Sequence, residues 1–363
     1  MMAMGYIDDK FGWNATDEND DLVARAHSTS VAGIVGASGD NSQGITGVNW
    51  NVKIMFVHSN LNFDKIIESY EYIYATRKLY NDTDGEKGAL VVASNSSFGK
   101  GRQQLNDNPL FPLWCEMYNT MGEVGVLSAG ATDNGKYDVG LEGDIPSLCS
   151  SDHLIVVTNN TMSDTRNGAW GKSQVDLAAP GDGSPTTNSN NSYGNLGGTS
   201  AATPHVAGGI ALLYSLPCER LANATKENPQ ATALLMKEFI LDGVDPIADQ
   251  VDETVTGGRL NLKNSMDLVT AYCGSGLGVL NVNKVSPNPT LDFLNVEFTP
   301  NVYGEYQVRI YNVLGQLMQE SEVEASRFLP AQFTLDVQRF KTGSYFLVLE
   351  NPEDFTTVKF IVQ

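Results

Sequence analysis

Two residues in this chain are placed, by type and by surroundings, to do acyl-transfer chemistry: a serine and a histidine that each open a helix. Ser200 lies in Gly197-Gly198-Thr199-Ser200-Ala201-Ala202-Thr203-Pro204-His205-Val206-Ala207-Gly208, where glycines lead directly into a helical run. A hydroxyl there sits at the positive end of the helix dipole, beside a backbone N–H that has no helical partner. That setting suits a nucleophile whose carbonyl adduct becomes an oxyanion. A bare Gly-Thr-Ser reads as no more than a helix cap, whereas the full string is far more specific. His27 begins His27-Ser28-Thr29-Ser30-Val31-Ala32-Gly33-Ile34-Val35-Gly36, a short helix whose apolar residues pack inward. A general base needs such a position, at the rim of a cleft with one ring nitrogen facing the nucleophile. Alone, a histidine before a helix is ordinarily a capping or surface residue.

The elements around these segments alternate. Lys53–Val57 (KIMFV), Ala89–Ala93 (ALVVA), Gly125–Ala129 (GVLSA), Leu154–Val157 and Val175–Ala178 read as buried strands. Between them, Ile66, Ile67, Tyr70, Ile73 and Tyr74 fall at helical spacing, and Leu113–Met121 is helical. Continuous apolar strands separated by helices predict an α/β fold, a parallel sheet covered on both faces. In such sheets the chemistry gathers at the carboxyl ends of the strands.

Taken together and in order, the two segments resemble the subtilisin-like serine peptidases. The family pattern H-G-T-[HS]-V-A-G fits His27 to Gly33, with Ser28 in place of a glycine, and G-T-S-x-A-x-P-H-V-A-G fits Gly198 to Gly208. Asp176-Leu177-Ala178-Ala179-Pro180-Gly181 and Gly44 to Val57 resemble two of its strands, so the likeness covers about residues 6 to 272. The resemblance implies a three-layer parallel-sheet domain in which Ser200 attacks the scissile carbonyl and His27 takes its proton and passes it to the leaving amine. It also implies that Ser97, Phe98 and Gly99 form an edge strand that pairs with an extended protein or peptide substrate. No cofactor is required, and calcium is expected only as a structural ion without a clear ligand set here.

Two departures matter. The family's orienting aspartate ends a strand upstream of the histidine, and no such strand is present. Asp8 and Asp9 lie in Gly5-Tyr6-Ile7-Asp8-Asp9-Lys10-Phe11-Gly12-Trp13-Asn14, which resembles the segment after that aspartate. Loss of the orienting carboxylate costs about 10⁴ in turnover. Loss of a whole buried strand would open the sheet, so the expectation is a sequence lacking its first part, against the alternative of a natural pseudoenzyme. The second departure is the oxyanion donor, an asparagine in A-G-N. Here Ser128-Ala129-Gly130-Ala131-Thr132-Asp133-Asn134-Gly135 puts Ala131 in direct register, while a short insertion would let Asn134 deliver the amide. Asn134 is favoured.

After Cys273 the character changes. Gly274-Ser275-Gly276-Leu277-Gly278 reads as a hinge, and beyond it Leu294, Val296 and Phe298 alternate with polar neighbours. So do Tyr306, Val308 and Ile310, then Phe333, Leu335 and Val337, then Val358, Phe360 and Val362. The expected organisation is a peptidase-like domain over 1–272, a linker over 273–283 and a small all-β sandwich over 284–363. Val285-Ser286-Pro287-Asn288-Pro289-Thr290, Ile310 to Gln316, Gly343 to Leu347 and the terminal Lys359 to Val362 resemble the sorting domain of a type IX secretion system. The alternative is a generic carbohydrate-binding or cell-surface sandwich. The resemblance implies that secretion machinery recognises this domain and that the protein is secreted or held at the cell surface.

Composition agrees with a soluble two-domain protein: 363 residues, 41% hydrophobic and 18% charged. The net charge of −20 argues against nucleic acid and anionic membrane, both of which need a basic patch. It reads mainly as solubility, with carboxylate-rich calcium sites as the sharper alternative. Met1-Met2-Ala3-Met4-Gly5 has neither the basic nor the apolar region of a signal peptide. Cys115, Cys149, Cys218 and Cys273 form no C-x-x-C pair and suit two disulfides, most locally Cys115 with Cys149 and Cys218 with Cys273. Four free thiols is the alternative. A monomer is expected.

Overall fold

The computed structural model describes residue 6, residues 11–274, 280–300, 304–325, 331–351 and 354–363. Asp8 and Asp9 lie outside the described residues, as do positions 275–279 of the expected hinge. The chain divides into two units, Met1–Met266 and Asp267–Gln363.

In the first unit the strands are β1 (Gly12–Asn14), β2 (Phe56–His58), β3 (Ala93–Ser96), β4 (Lys100–Gly101), β5 (Leu127–Ala131), β6 (Asp144–Ile145), β7 (Leu154–Asn160) and β8 (Leu177–Pro180). They continue with β9 (Ser184–Asn188), β10 (Ser192–Leu196), β11 (Asp245–Pro246) and β12 (Gly258–Arg259). The helices are α1 (Ala26–Gly36), α2 (Phe63–Asp82), α3 (Phe111–Glu123), α4 (Val139–Glu142), α5 (Thr199–Tyr214), α6 (Glu219–Glu227), α7 (Pro229–Asp242) and α8 (Leu262–Gly274), the last running across the division between units. The main sheet has the order β11-β12-β8-β7-β5-β3 and is parallel apart from β11. β5 and β7 are buried along their whole length, as expected for strands covered on both faces. A second, two-stranded parallel sheet joins β1 to β2.

One face of the main sheet is covered by α2 and α3. Ile66, Tyr70, Trp114, Tyr118 and Met121 pack there against Leu154, Val156 and Ile145. Tyr70, Tyr118 and Trp114 share a buried hydrogen-bonded chain that ends on Ser96, so their polar atoms are satisfied in the core. Cys115 and Cys149 are joined as a disulfide, and Cys218 and Cys273 are each disulfide-bonded, which sets aside the four-thiol alternative.

The strands expected to begin at Gly125 and Val175 begin two residues later, at Leu127 and Leu177, and two others are displaced further. Ala89–Val92 is not a strand, and pairing begins only at Ala93; Lys53–Met55 likewise precedes β2 without ladder pairing. The apolar sequence is present, but each segment has a partner on one side at most. Val91 turns its N–H to Ala89 O (2.8 Å) and gives its carbonyl to Arg77 Nη1 (2.7 Å). Backbone polar groups that find no strand beside them are satisfied locally instead.

The second unit is a β-sandwich. β13 (Asn281–Ser286), β14 (Phe293–Thr299) and β17 (Ala331–Asp336) form one antiparallel sheet. β15 (Gly304–Asn312), β16 (Leu317–Ala325), β18 (Gly343–Glu350) and β19 (Phe355–Val362) form the other, in the order β16-β15-β18-β19. Leu294, Val296, Phe298, Tyr306, Val308 and Ile310 all point into the shared core, together with Leu335, Val337, Phe360 and Val362. The period-2 pattern therefore selected the correct face of each strand.

Candidate active site

Ser200 is the second residue of α5. The helix is entered through Gly198, whose φ of 76° lies in the left-handed region. A Cβ built there would fall 2.1 Å from Asn134 Oδ1, so glycine is required both by conformation and by close approach. Asn134 in turn fixes the helix start: its Oδ1 accepts from Thr199 N at 3.0 Å, while Thr199 Oγ1 donates to Thr132 O at 2.6 Å. With its oxygen occupied, the exposed Asn134 carboxamide retains its Nδ2 as a donor beside the first turn of α5. Ala131, the position in ungapped register, is the last residue of β5 and is buried. Asn134 thus lies at the start of the Ser200 helix, with its carboxamide against Gly198 and Thr199.

Pro204 lies inside α5 and has no N–H to give to the carbonyl four residues back, that of Ser200. Ser97 takes its place, its Oγ donating to Ser200 O at 3.1 Å, and Ser200 Oγ donates to Ser97 O at 3.3 Å. Nothing in the sequence alone connected Ser97 to Pro204; the signal was available only as a proline four residues after Ser200. Replacing Ser97 by alanine leaves the Ser200 carbonyl without this donor. Urea unfolding is expected to show a loss of about 1–3 kcal/mol.

The expected edge strand is corrected. Ser97, Phe98 and Gly99 lie between β3 and β4, outside any strand. β3 stops at Ser96, and the side chain and carbonyl of Ser97 are both engaged by Ser200. A Cβ at Gly99 would fall 2.5 Å from Ile145 O, so this segment lies close against β6.

His27 is the second residue of α1, as the sequence suggested, and is exposed. α1 is held by the β9–β10 hairpin, where Thr186 and Thr187 donate to the carbonyls of Ser30 (2.5 Å) and Thr29 (2.9 Å). The sequence did not single out this hairpin. His27 shares a cleft of ≈ 690 Å³ with Arg25, His58, Asn95, Ser97 and Phe98. Among the described residues no hydrogen bond links His27 to Ser200 or to a carboxylate. His205, in the same helix as Ser200, has its Nδ1 2.8 Å from Ala201 O, and burial lowers its pKa, so it stays neutral and structural.

Asp144 is a further group that sequence reasoning did not mark. It is fully buried at the start of β6; its Oδ2 accepts from Asp133 N (3.2 Å) and from Ser147 Oγ, while Oδ1 has no partner. Burial is the main cause that raises its pKa to about 7, and the neighbouring Asp133 adds to it. Asp133 precedes Asn134, so this carboxyl anchors the loop that carries the amide. No group of three or more His, Cys, Asp or Glu able to hold a metal ion occurs among the described residues, so the calcium expectation finds no ligand set and no step is derived through it.

A parallel sheet with helices on its faces, and a serine at the glycine-led start of one of them, defines the subtilisin-like α/β fold. The chain belongs to the subtilase family, whose model matches residues 3–257. That family is one of serine peptidases. Residues 284–363 match the secretion system C-terminal sorting domain, which indicates export to the cell surface or beyond it. Subtilisin-like protease 1 of Plasmodium vivax is 23% identical over 288 residues, covering 73% of this chain and 41% of that protein. The chain thus spans less than half of that relative's length. Thermitase of Thermoactinomyces vulgaris is 29% identical over 206 residues, covering 56% of this chain and 67% of that protein. Among solved structures, the A-subunit of the AB5 toxin from E. coli superposes with a TM-score of 0.53 at 22% identity, covering 72% of this chain and 86% of that one. No helix among the described residues is long and apolar enough to cross a membrane.

Proposed function

We infer that the chain is an exported serine endopeptidase in which Ser200 is the nucleophile, His27 the general base and Asn134 the oxyanion donor. The observation that carries this reading is the Gly198–Ser200 helix start, where Asn134 is held by Thr199 N beside the serine. Thr199 N is taken by Asn134 Oδ1, and Ala201 N and Ala202 N by Gly198 O, so the Ser200 N–H is the first-turn donor that would meet the developing negative charge together with Asn134 Nδ2. In acylation Ser200 Oγ bonds to the scissile carbonyl carbon, its proton passes to His27, and the C–N bond breaks as His27 returns that proton to the amine. Water then repeats the sequence in reverse to release the acid. Ser97 and Phe98 line the cleft beside His27 and would contact the substrate there. The sorting domain supports delivery by secretion machinery, with a monomeric protein acting outside the cell.

A fluorophosphonate probe tests the assignment, since it labels only an activated serine. Labelling at Ser200, lost in Ser200→Ala, is the expected result; labelling that survives the substitution would show that another residue is the nucleophile. A second reading, a catalytically inactive peptide-binding module, is favoured by the absence of a carboxylate beside His27 among the described residues. It predicts no labelling at all.

A further inference from the structure

Arg77, in α2, is 1% exposed, a cation taken almost wholly out of water. Its Nε donates to Asn81 Oδ1 at 3.0 Å and its Nη1 to Val91 O at 2.7 Å, both neutral acceptors. Asn81 donates in turn to Val124 O at 2.9 Å, so the end of α2 is tied to the segments that lead into β3 and β5. These bonds use the donors and leave the charge uncompensated: among the described residues no carboxylate acts on it, and burial lowers its pKa. A neutral amide side chain has N–H donors enough for the same two bonds, whereas a buried charge is ordinarily paired.

The groups around this guanidinium also wall a cavity of ≈ 380 Å³. The Tyr80 ring centre lies 5.9 Å from Arg77 Cζ, Asn81 holds Nε, and Tyr214 is close enough for the guanidinium to hold down a pKa that burial raises. Tyr214 is the last residue of α5, so the cavity and Ser200 lie at opposite ends of one helix, about 20 Å apart along its axis. No hydrogen bond engages the Tyr214 hydroxyl among the described residues. The rest of the lining is mostly apolar, with Leu90, Leu216, Pro217 and Leu221, and it includes the exposed Lys226 and Asp84, paired at 2.7 Å. Apolar walls with a few convergent polar groups, at the lower end of the volumes that hold small ligands, are the marks of a binding site.

We propose that this cavity binds a small organic anion, one carboxylate on an aromatic or branched aliphatic body. The carboxylate accepts from the Tyr214 hydroxyl and balances the charge of Arg77 behind it, while the body packs on the Tyr80 ring and the leucines. Lys226 is a second cation in the lining. The site does not rest on the function inferred above, and Ser200 plays no part in it.

Phenylacetate and its neutral isostere phenylacetamide are the probes, titrated into the full chain by calorimetry with ligand-observed NMR as a second reading. Phenylacetate should saturate one site with a dissociation constant of about 0.1–1 mM. Phenylacetamide should bind at least about 10-fold more weakly. Tyr214→Phe, which removes only the hydroxyl, should weaken phenylacetate by about 5–10-fold. Ala222→Trp, which starts from an exposed position in the lining, should fill the cavity and abolish binding, with thermal unfolding to show that each variant is folded. Failure of phenylacetate to saturate any site overturns the proposal. Equal affinity for acid and amide overturns the carboxylate, and unchanged affinity in Tyr214→Phe overturns the hydroxyl as its anchor. Binding that survives Ala222→Trp overturns the cavity as the site.

Discussion

Gly198→Ala is expected to slow fluorophosphonate labelling of Ser200 by about 10²–10³-fold, the loss that follows removal of one oxyanion donor. Two effects act together at this position. An alanine is strained at φ 76°, and its Cβ would fall 2.1 Å from Asn134 Oδ1. The carboxamide must move away, which breaks the 3.0 Å bond from Thr199 N and withdraws Nδ2 from the nucleophile. Asn134→Ala should give a similar loss, and the double variant little more, because both changes remove the same donor. Independent, additive losses in the double variant would show that Gly198 acts through the helix start alone.

The second large effect is on stability, at Asp144. Burial raises this carboxyl from an ordinary 3.8 to about 7 in the folded protein. Below pH 4 both folded and unfolded chains hold the proton. Between pH 4 and pH 7 the unfolded chain releases it while the folded chain keeps it, so this group's contribution to stability falls as the pH rises. At about 1.4 kcal/mol per pH unit, the accumulated loss is on the order of 4 kcal/mol. Asp144→Asn cannot ionise and still offers an acceptor to Asp133 N and Ser147 Oγ. The variant should match the parent near pH 4 and exceed it at pH 8, by a Tm difference of about 10 °C. Parallel Tm curves for the two proteins across this range would refute the buried ionisation.

The residues that identify the fold were legible because their chemistry is local. A glycine pair before a serine, a helix-spaced apolar face and alternating strands of the sandwich each state their structure within a dozen residues. Asn134 could be preferred over Ala131 from the sequence, but the closeness of Gly198 to its carboxamide is seen only in the folded chain. The strands at Ala89 and Lys53 were misplaced because strand formation depends on a neighbour as well as on apolar residues. The pairing of Ser97 with the carbonyl freed by Pro204 spans more than a hundred positions, and no local pattern reports it. Asp144 was invisible for the opposite reason: a single acid in Gly143-Asp144-Ile145-Pro146 looks like any surface turn until the core closes over it.

The Cys115–Cys149 bridge closes a ring across 34 positions of sequence. Inside that ring lie β5, Asn134 and Asp144, so the loop that carries Asn134 is enclosed by a covalent circuit that α5 does not share. Thiols remain reduced in a cytoplasm and oxidise outside it. The loop is therefore left untied while the chain is reduced and becomes fixed on crossing into an oxidising compartment.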